Sequence, residues 1–204
     1  MVPTRRLASA AIALAATALL QAGAAAPARA DEAAPTTGFG RPGPVRNRVN
    51  LRAGAASTDT VGRPTLCVEV TVVAALGVET CGTGAGLLHH EDGQEMAHFR
   101  AHWTALARAL PSGELRLRGG LGFAELQLGD DQPGFQFGGP GGDRLSVAGP
   151  EASLSAQWLV PAWRDLDVLA NLTAGAAHFS GAAELVAPQR KTQAFVSFEL
   201  GVGW

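Results

Sequence analysis

From Val45 onward the chain alternates between apolar and other side chains with period two, in runs broken by Gly, Pro and Asp. That is the signature of β-strands. Eight strands are predicted, near 45–56, 64–73, 76–86, 95–109, 114–128, 145–160, 164–180 and 191–204. Sorting each run by parity separates two unlike faces. One collects Val45, Val49, Leu51, Ala53 and Ala55, then Leu66, Val68, Val70, Val72, Leu76 and Val78. It continues through Ala97, Phe99, Ala101, Trp103, Ala105 and Ala107, and through Leu115, Leu117, Leu121 and Phe123. Ala152, Leu154, Ala156 and Trp158 follow, then Leu166, Val168, Ala170, Leu172, Ala174 and Ala176. None of these is charged. Glu95, Glu125 and Arg164 share the parity, and all three fall at or near strand ends.

The opposite parity holds most of the charge in the strands. Arg46, Arg48, Arg52, Arg100, Arg108, Arg116, Arg118 and Lys191 stand against Glu69, Glu79, Glu114, Glu151, Asp165, Asp167 and Glu199, eight against seven. His98, His102, Asn50, Asn171 and Gln157 join them. A soluble sheet would turn this polar face to water and bury the apolar one. A membrane barrel reverses the arrangement, with the apolar face in lipid and the polar face in the lumen. Eight strands leave an interior that side chains fill. Charges buried there must be paired, and a near-balance is what pairing requires.

The connections alternate in length. Those at 74–75, 110–113 and 161–163 are tight, whereas those near 60, 87–94, 129–144 and 181–190 are longer. The last run, TQAFVSFELGVGW over 192–204, carries an unbroken face of Thr192, Ala194, Val196, Phe198, Leu200, Val202 and Trp204. A closing strand with a continuous apolar face and a final aromatic residue resembles that of the small outer-membrane β-barrels of Gram-negative bacteria. The resemblance implies an all-β fold, an eight-stranded antiparallel up-and-down transmembrane barrel over 45–204. It also implies that Phe198, Leu200, Val202 and Trp204 are read as a signal by the barrel-insertion machinery. Short turns on one side and long loops on the other agree with it, and Glu95, Glu125 and Arg164 are then expected among lipid headgroups. The chain has no Tyr, so any aromatic girdle rests on Trp158, Trp163 and Trp204 at one edge and on Phe99 and Phe123 toward the other.

Residues 1–30 read as a cleaved secretory signal peptide. Arg5 and Arg6 precede an uncharged apolar run, and Ala28-Arg29-Ala30 supplies the small-x-small cleavage pattern. Residues 31–44, DEAAPTTGFGRPGP, form a flexible leader rich in Pro and Gly. Removing Arg5, Arg6 and Arg29 from 16 basic residues leaves 13 against 18 acidic ones, a net charge of −5. That argues against a nucleic-acid partner. The expected location is the outer membrane, with its lipid as the first partner.

Residues 94–110, QEMAHFRAHWTALARAL, carry two patterns at once. Met96, Phe99, Trp103, Leu106 and Leu110 are spaced as a helical stripe, which would set His98 and His102 on one face at i, i+4 as in zinc sites. As a strand the two histidines lie about 13 Å apart, too far for one metal. The strand is preferred because its length fits a spanning strand, and neither metal nor cofactor is expected. Cys67 and Cys81 are the two cysteines of a chain expected to be exported, where disulfides persist. A turn centred on Ala74 pairs residues summing to 148, so Cys67 meets Cys81 and Glu69 meets Glu79. A structural disulfide follows, and Arg48, Arg52 or Arg100 is expected between the two carboxylates. His98, His102, Arg116, Arg118, Glu151 and Glu199 complete the predicted luminal network.

The expected function is that of a structural or surface-interaction barrel, not a wide pore. A surface partner would meet the 129–144 loop through Phe135 and Phe137. Two alternatives stand beside this reading, a soluble periplasmic ligand-binding barrel and an enzyme. His178-Phe179-Ser180 resembles the His and Ser two residues apart of outer-membrane barrels that deacylate lipid A, with Glu184 as the acid. Gly181 departs from the Asn common at that position in the family, and Glu199 points the other way.

Overall fold

The computed structural model describes residues 48–73, 75–84, 94–128, 146–180 and 191–204. They form eight strands: β1 Val49–Ala56, β2 Thr65–Val73, β3 Leu76–Gly82, β4 Gln94–Leu110, β5 Gly113–Leu128, β6 Ser146–Trp163, β7 Leu166–His178 and β8 Thr192–Gly203. Each pairs antiparallel with its neighbours in sequence, and β1 pairs with β8, so the sheet closes into one ring. No helix occurs among the described residues. The residues from Gln94 to Leu110 are strand throughout, which resolves the double pattern seen in the sequence. Closure explains the choice, since β4 hydrogen-bonds to β3 on one side and β5 on the other.

The β2–β3 register pairs Cys67 with Cys81, Glu69 with Glu79 and Thr71 with Gly77, and it shifts by one residue beyond Thr71. Strand faces follow parity. Leu51, Leu66, Val68, Val70, Val78, Trp103, Leu121, Leu154, Val168, Leu172, Val196 and Leu200 are exposed, while their immediate neighbours Arg52, Cys67, Glu69, Glu79, His102, Ser153, Leu169, Asn171, Ser197 and Glu199 are buried.

Several expectations are corrected. A bulge between Thr104 and Leu106 inserts one residue into β4 opposite β5. It reverses the faces beyond it. Ala107, expected outside, is buried opposite Arg116, and Arg108, expected inside, pairs with Leu115 on the outer face. Glu95 and Glu125 keep the outer parity but are buried rather than open to their surroundings. β3 ends at Gly82, four residues early, and β6 runs on to Trp163. Arg164, with φ of 47°, and Asp165 form the β6–β7 turn, so neither lies on a strand face. Lys191 precedes β8 and is exposed. The expected signal peptide and leader, Val45 and Arg46 lie outside the described residues.

The interior is layered, which parity alone did not reveal. Where the long connections leave the ring, Met96, Ala124, Leu126, Val147, Ala177, Phe179 and Phe195 form an apolar cluster inside it. The charged inward residues fill the zone next to it, and Leu159 and Leu169 are buried toward the tight turns. Over the apolar end runs the β1–β2 connection. Ser57 exchanges two hydrogen bonds with Val196 of β8. Thr60 N–H donates to Gln94 O at 3.0 Å, and Asp59 accepts from Met96 N–H at 3.2 Å and from the Thr65 hydroxyl at 2.6 Å. Because β3 has already ended, this segment satisfies the edge of β4 that β3 leaves open. Asp59→Ala should therefore lower the stability of the folded chain by about 1–3 kcal/mol, the cost of leaving such donors unmet. An unchanged urea midpoint would show that the latch contributes nothing.

Candidate functional site in the lumen

Every strand sends a polar side chain inward to one network: Asn50 and Arg52 from β1, Glu69 from β2, Glu79 from β3, His98, Arg100 and His102 from β4, Arg118 from β5, Glu151 from β6, Asn171 from β7 and Glu199 from β8. None is more than 6% exposed. Two-residue spacing is what puts His98, Arg100 and His102 on one face of β4. The register then sets Arg100 opposite Glu79, and His102 opposite Gly77. A β-carbon at Gly77 would lie 2.6 Å from His102 Cε1, so the glycine makes room for the imidazole.

Glu69 and Glu79 face each other, and Arg52 stands between them. One of its terminal nitrogens donates to Glu69 Oε2 at 2.7 Å, the other to Glu79 Oε2. Arg100 approaches Glu79 from the far side, its Nε 2.6 Å from Oε1, while its Nη1 reaches Glu151 at 2.7 Å. His98 Nδ1 lies 2.7 Å from the other Glu151 oxygen. Arg118 donates to both oxygens of Glu69 at 2.9 Å and to Asn171 Oδ1 at 3.0 Å. Asn171 in turn donates to Glu199 at 2.6 Å, and Asn50 to Glu69 at 3.0 Å. His102 Nε2 lies 3.3 Å from Glu69. Three guanidiniums thus meet four carboxylates, with two imidazoles alongside.

Charge-assisted bonds of this length are the strong kind. They offset the large cost of taking ions out of water, and the cost returns when one partner is removed. The same bonds limit chemistry at Glu69 and Glu79, whose four oxygens are all taken. Glu69, Glu79 and His102 hold ligand atoms within 4.8 Å of one another, yet a cation there would have to displace Arg52 and Arg118 from the same oxygens. The arrangement fits no metal. A glycosidase-like use of the two carboxylates needs a cleft for a sugar. The void beside Glu69, lined also by His102, Thr104, Arg116, Arg118 and Gln157, has a volume of about 10 Å³, room for about one water molecule.

Two predicted members stand apart. Arg48 is exposed below the start of β1, where its N–H donates to Trp204 O. It cannot serve Glu69 and Glu79 from there. Arg116 is buried but pairs with Glu114 two residues away, at 2.5 Å. Cys67 and Cys81 form a disulfide, both buried on the inner face. For the enzymatic reading, His178 and Ser180 are both exposed and Phe179 between them is buried. His178 Nδ1 lies 2.9 Å from the Thr192 hydroxyl, and Glu199 is held inside by Asn171. Glu184 and the 129–144 loop with Phe135 and Phe137 lie outside the described residues.

Asn50 and Asn171 were legible as members of the inner parity but gave no sign of their roles, and Gly77 gave no sign of its own. Asp59 gave none at all, since its partners lie on strands far along the chain. The chain matches no protein-family model, and no curated protein or solved structure is significantly similar to it.

Removing the bridging cation tests the network. Arg52→Met, which keeps the bulk, leaves Glu69 and Glu79 facing each other with less compensation. It should cost about 3–5 kcal/mol of folding stability. A loss below about 1 kcal/mol in urea titration, the range of exposed pairs, would mean that the network is not structural.

Proposed function

We propose that this chain is an outer-membrane β-barrel protein, exported through a cleaved signal peptide over residues 1–30, with a side-chain-filled lumen and a structural or surface-interaction role. One observation carries the reading. The ring has the polarity opposite to that of a soluble barrel, with carboxylates, guanidiniums and imidazoles inside and large aliphatic side chains outside. Leu154 is 73% exposed and Leu121 57%. Contiguous apolar surface of this kind marks a membrane or partner interface, and in lipid a closed ring of strands leaves no backbone edge unsatisfied.

Other features support the same placement. Trp163, 70% exposed, lies at the tight-turn end with the Arg164 guanidinium 5.4 Å from its ring. A Trp beside a cation suits the headgroup level. Phe198, Leu200, Val202 and Trp204 share the outer parity of β8, with Leu200 and Trp204 exposed. They are proposed as the surface that the insertion machinery meets. The packed network and the apolar cluster argue for a plugged lumen rather than a wide channel. A surface partner is proposed for the 129–144 loop on its sequence alone.

Three experiments test the placement. Fractionation should recover the mature chain with the outer membrane; finding it in the soluble periplasm without detergent would sink the proposal. Within native membranes, a lipid-soluble thiol reagent should modify Cys placed at Val168, Ala170 or Leu172 and spare Cys placed at Leu169 or Asn171. Equal labelling of the two sets, or the reverse, would show the faces to be wrong. Arg at Ala170 should in addition cost roughly 2–4 kcal/mol if the site lies near the bilayer midplane.

A further inference from the structure

The Cys67–Cys81 disulfide projects into the packed interior. Both cysteines are buried, at 2% and 3% exposure. Across the neighbouring strands their partners are Arg52 and His98, and Arg100 Nη2 lies 3.7 Å from Cys81 Sγ. Toward the long connections lie the apolar cluster and the 57–63 segment, which is latched to β4 and β8. Thiol–disulfide exchange requires a sulfur to reach the bond and attack it. The water-sized void beside Glu69 and His102 admits no thiol.

Two residues along from the cysteines, Glu69 faces Glu79. Like charges directly opposite destabilise a strand pair, and the cations that neutralise these belong to other strands, Arg52 to β1 and Arg100 to β4. An isolated β2–β3 hairpin therefore lacks them. It would relieve the repulsion by slipping two residues, a shift that keeps every side chain on its own face. A bond between Cys67 and Cys81 forbids that slip.

We propose that the Cys67–Cys81 bond is made on the unassembled chain by an external disulfide oxidant, before the ring closes. The bond then holds the β2–β3 hairpin in its like-charge register until Arg52 and Arg100 arrive. In the reaction, the thiolate of one cysteine attacks the oxidant's disulfide, forming a mixed disulfide and releasing one thiol. The second cysteine, as thiolate, displaces the remaining oxidant sulfur. Cys67 and Cys81 together give up two electrons and two protons, and the oxidant's disulfide becomes two thiols. The inference rests on burial and register, and it stands whether or not the barrel proves to be membrane-embedded.

The test uses the purified full-length chain. Reduced chain is folded into detergent micelles under reductant, which is then removed, and oxidised glutathione is added. Bond formation should be slower than in urea by on the order of a hundredfold, because exchange waits for local opening. The oxidised, folded chain should resist dithiothreitol to the same degree. In refolding from urea, the oxidised chain should fold several-fold faster than the reduced one, and Cys67→Ser/Cys81→Ser should behave like the reduced chain. A reduced chain that fails to fold at all supports the proposal, since the bond is then required before closure. Exchange in the folded chain at the unfolded rate, or equal folding rates for oxidised and reduced chains, would overturn it. Should the protein prove soluble, the same comparisons run in buffer.

Discussion

Two buried carboxylates facing each other across adjacent strands repel unless a cation stands between them. Glu69 and Glu79 are in that position, and much of the ring's interior is arranged around it. Arg52 must come from β1 on one side and Arg100 from β4 on the other. Each of these cations needs further acceptors, and Glu151 supplies them for Arg100. Arg118, from β5, compensates Glu69 and extends the network through Asn171 to Glu199. The chain of partners draws a side chain from each of the eight strands. A polar interior of this kind also fixes the outside. Period-two geometry leaves the apolar residues nowhere to go but outward, so the charge network and the exposed apolar belt are one consequence seen from two sides.

The layered lumen adds a second constraint. Polar groups in the middle need a dry setting for their ion pairs to be strong. The apolar cluster around Phe179 and Phe195 seals one end, and Leu159 and Leu169 narrow the other. Phe195 belongs to both layers, lying 4.4 Å from the His98 ring and 5.6 Å from the Arg100 guanidinium. The latch from Asp59 and Thr60 to β4 covers the sealed end where β3 stops short.

Much of this was legible in the sequence because strand parity is a strong local signal. The eight strands, their faces, the Cys67–Cys81 register and the Glu69–Glu79 opposition all follow from alternation and one turn position. What escaped were features that depend on irregularity or on distant partners. The bulge at Thr104 to Leu106 adds one residue without any break in the alternating pattern, so Ala107 and Arg108 were assigned to the wrong faces. Arg48 has the inner parity but lies below the strand end, where parity has no meaning. The apolar end of the lumen is assembled from one or two residues per strand, Met96, Val147, Phe195 and others. No single stretch displays it. The Asp59 latch exists because β3 ends at Gly82, and strand length is the least certain part of a sequence reading.

The apolar belt is proposed to meet lipid chains while the charged face meets only protein. Nuclear Overhauser contacts in detergent micelles measure this directly. Methyl groups of Val68, Val70, Val168 and Leu172 should show contacts to detergent acyl protons, and those of Val147 and Leu169 should show contacts to protein alone. Contacts from the outward methyls to water instead, or acyl contacts at Val147 and Leu169, would contradict that placement.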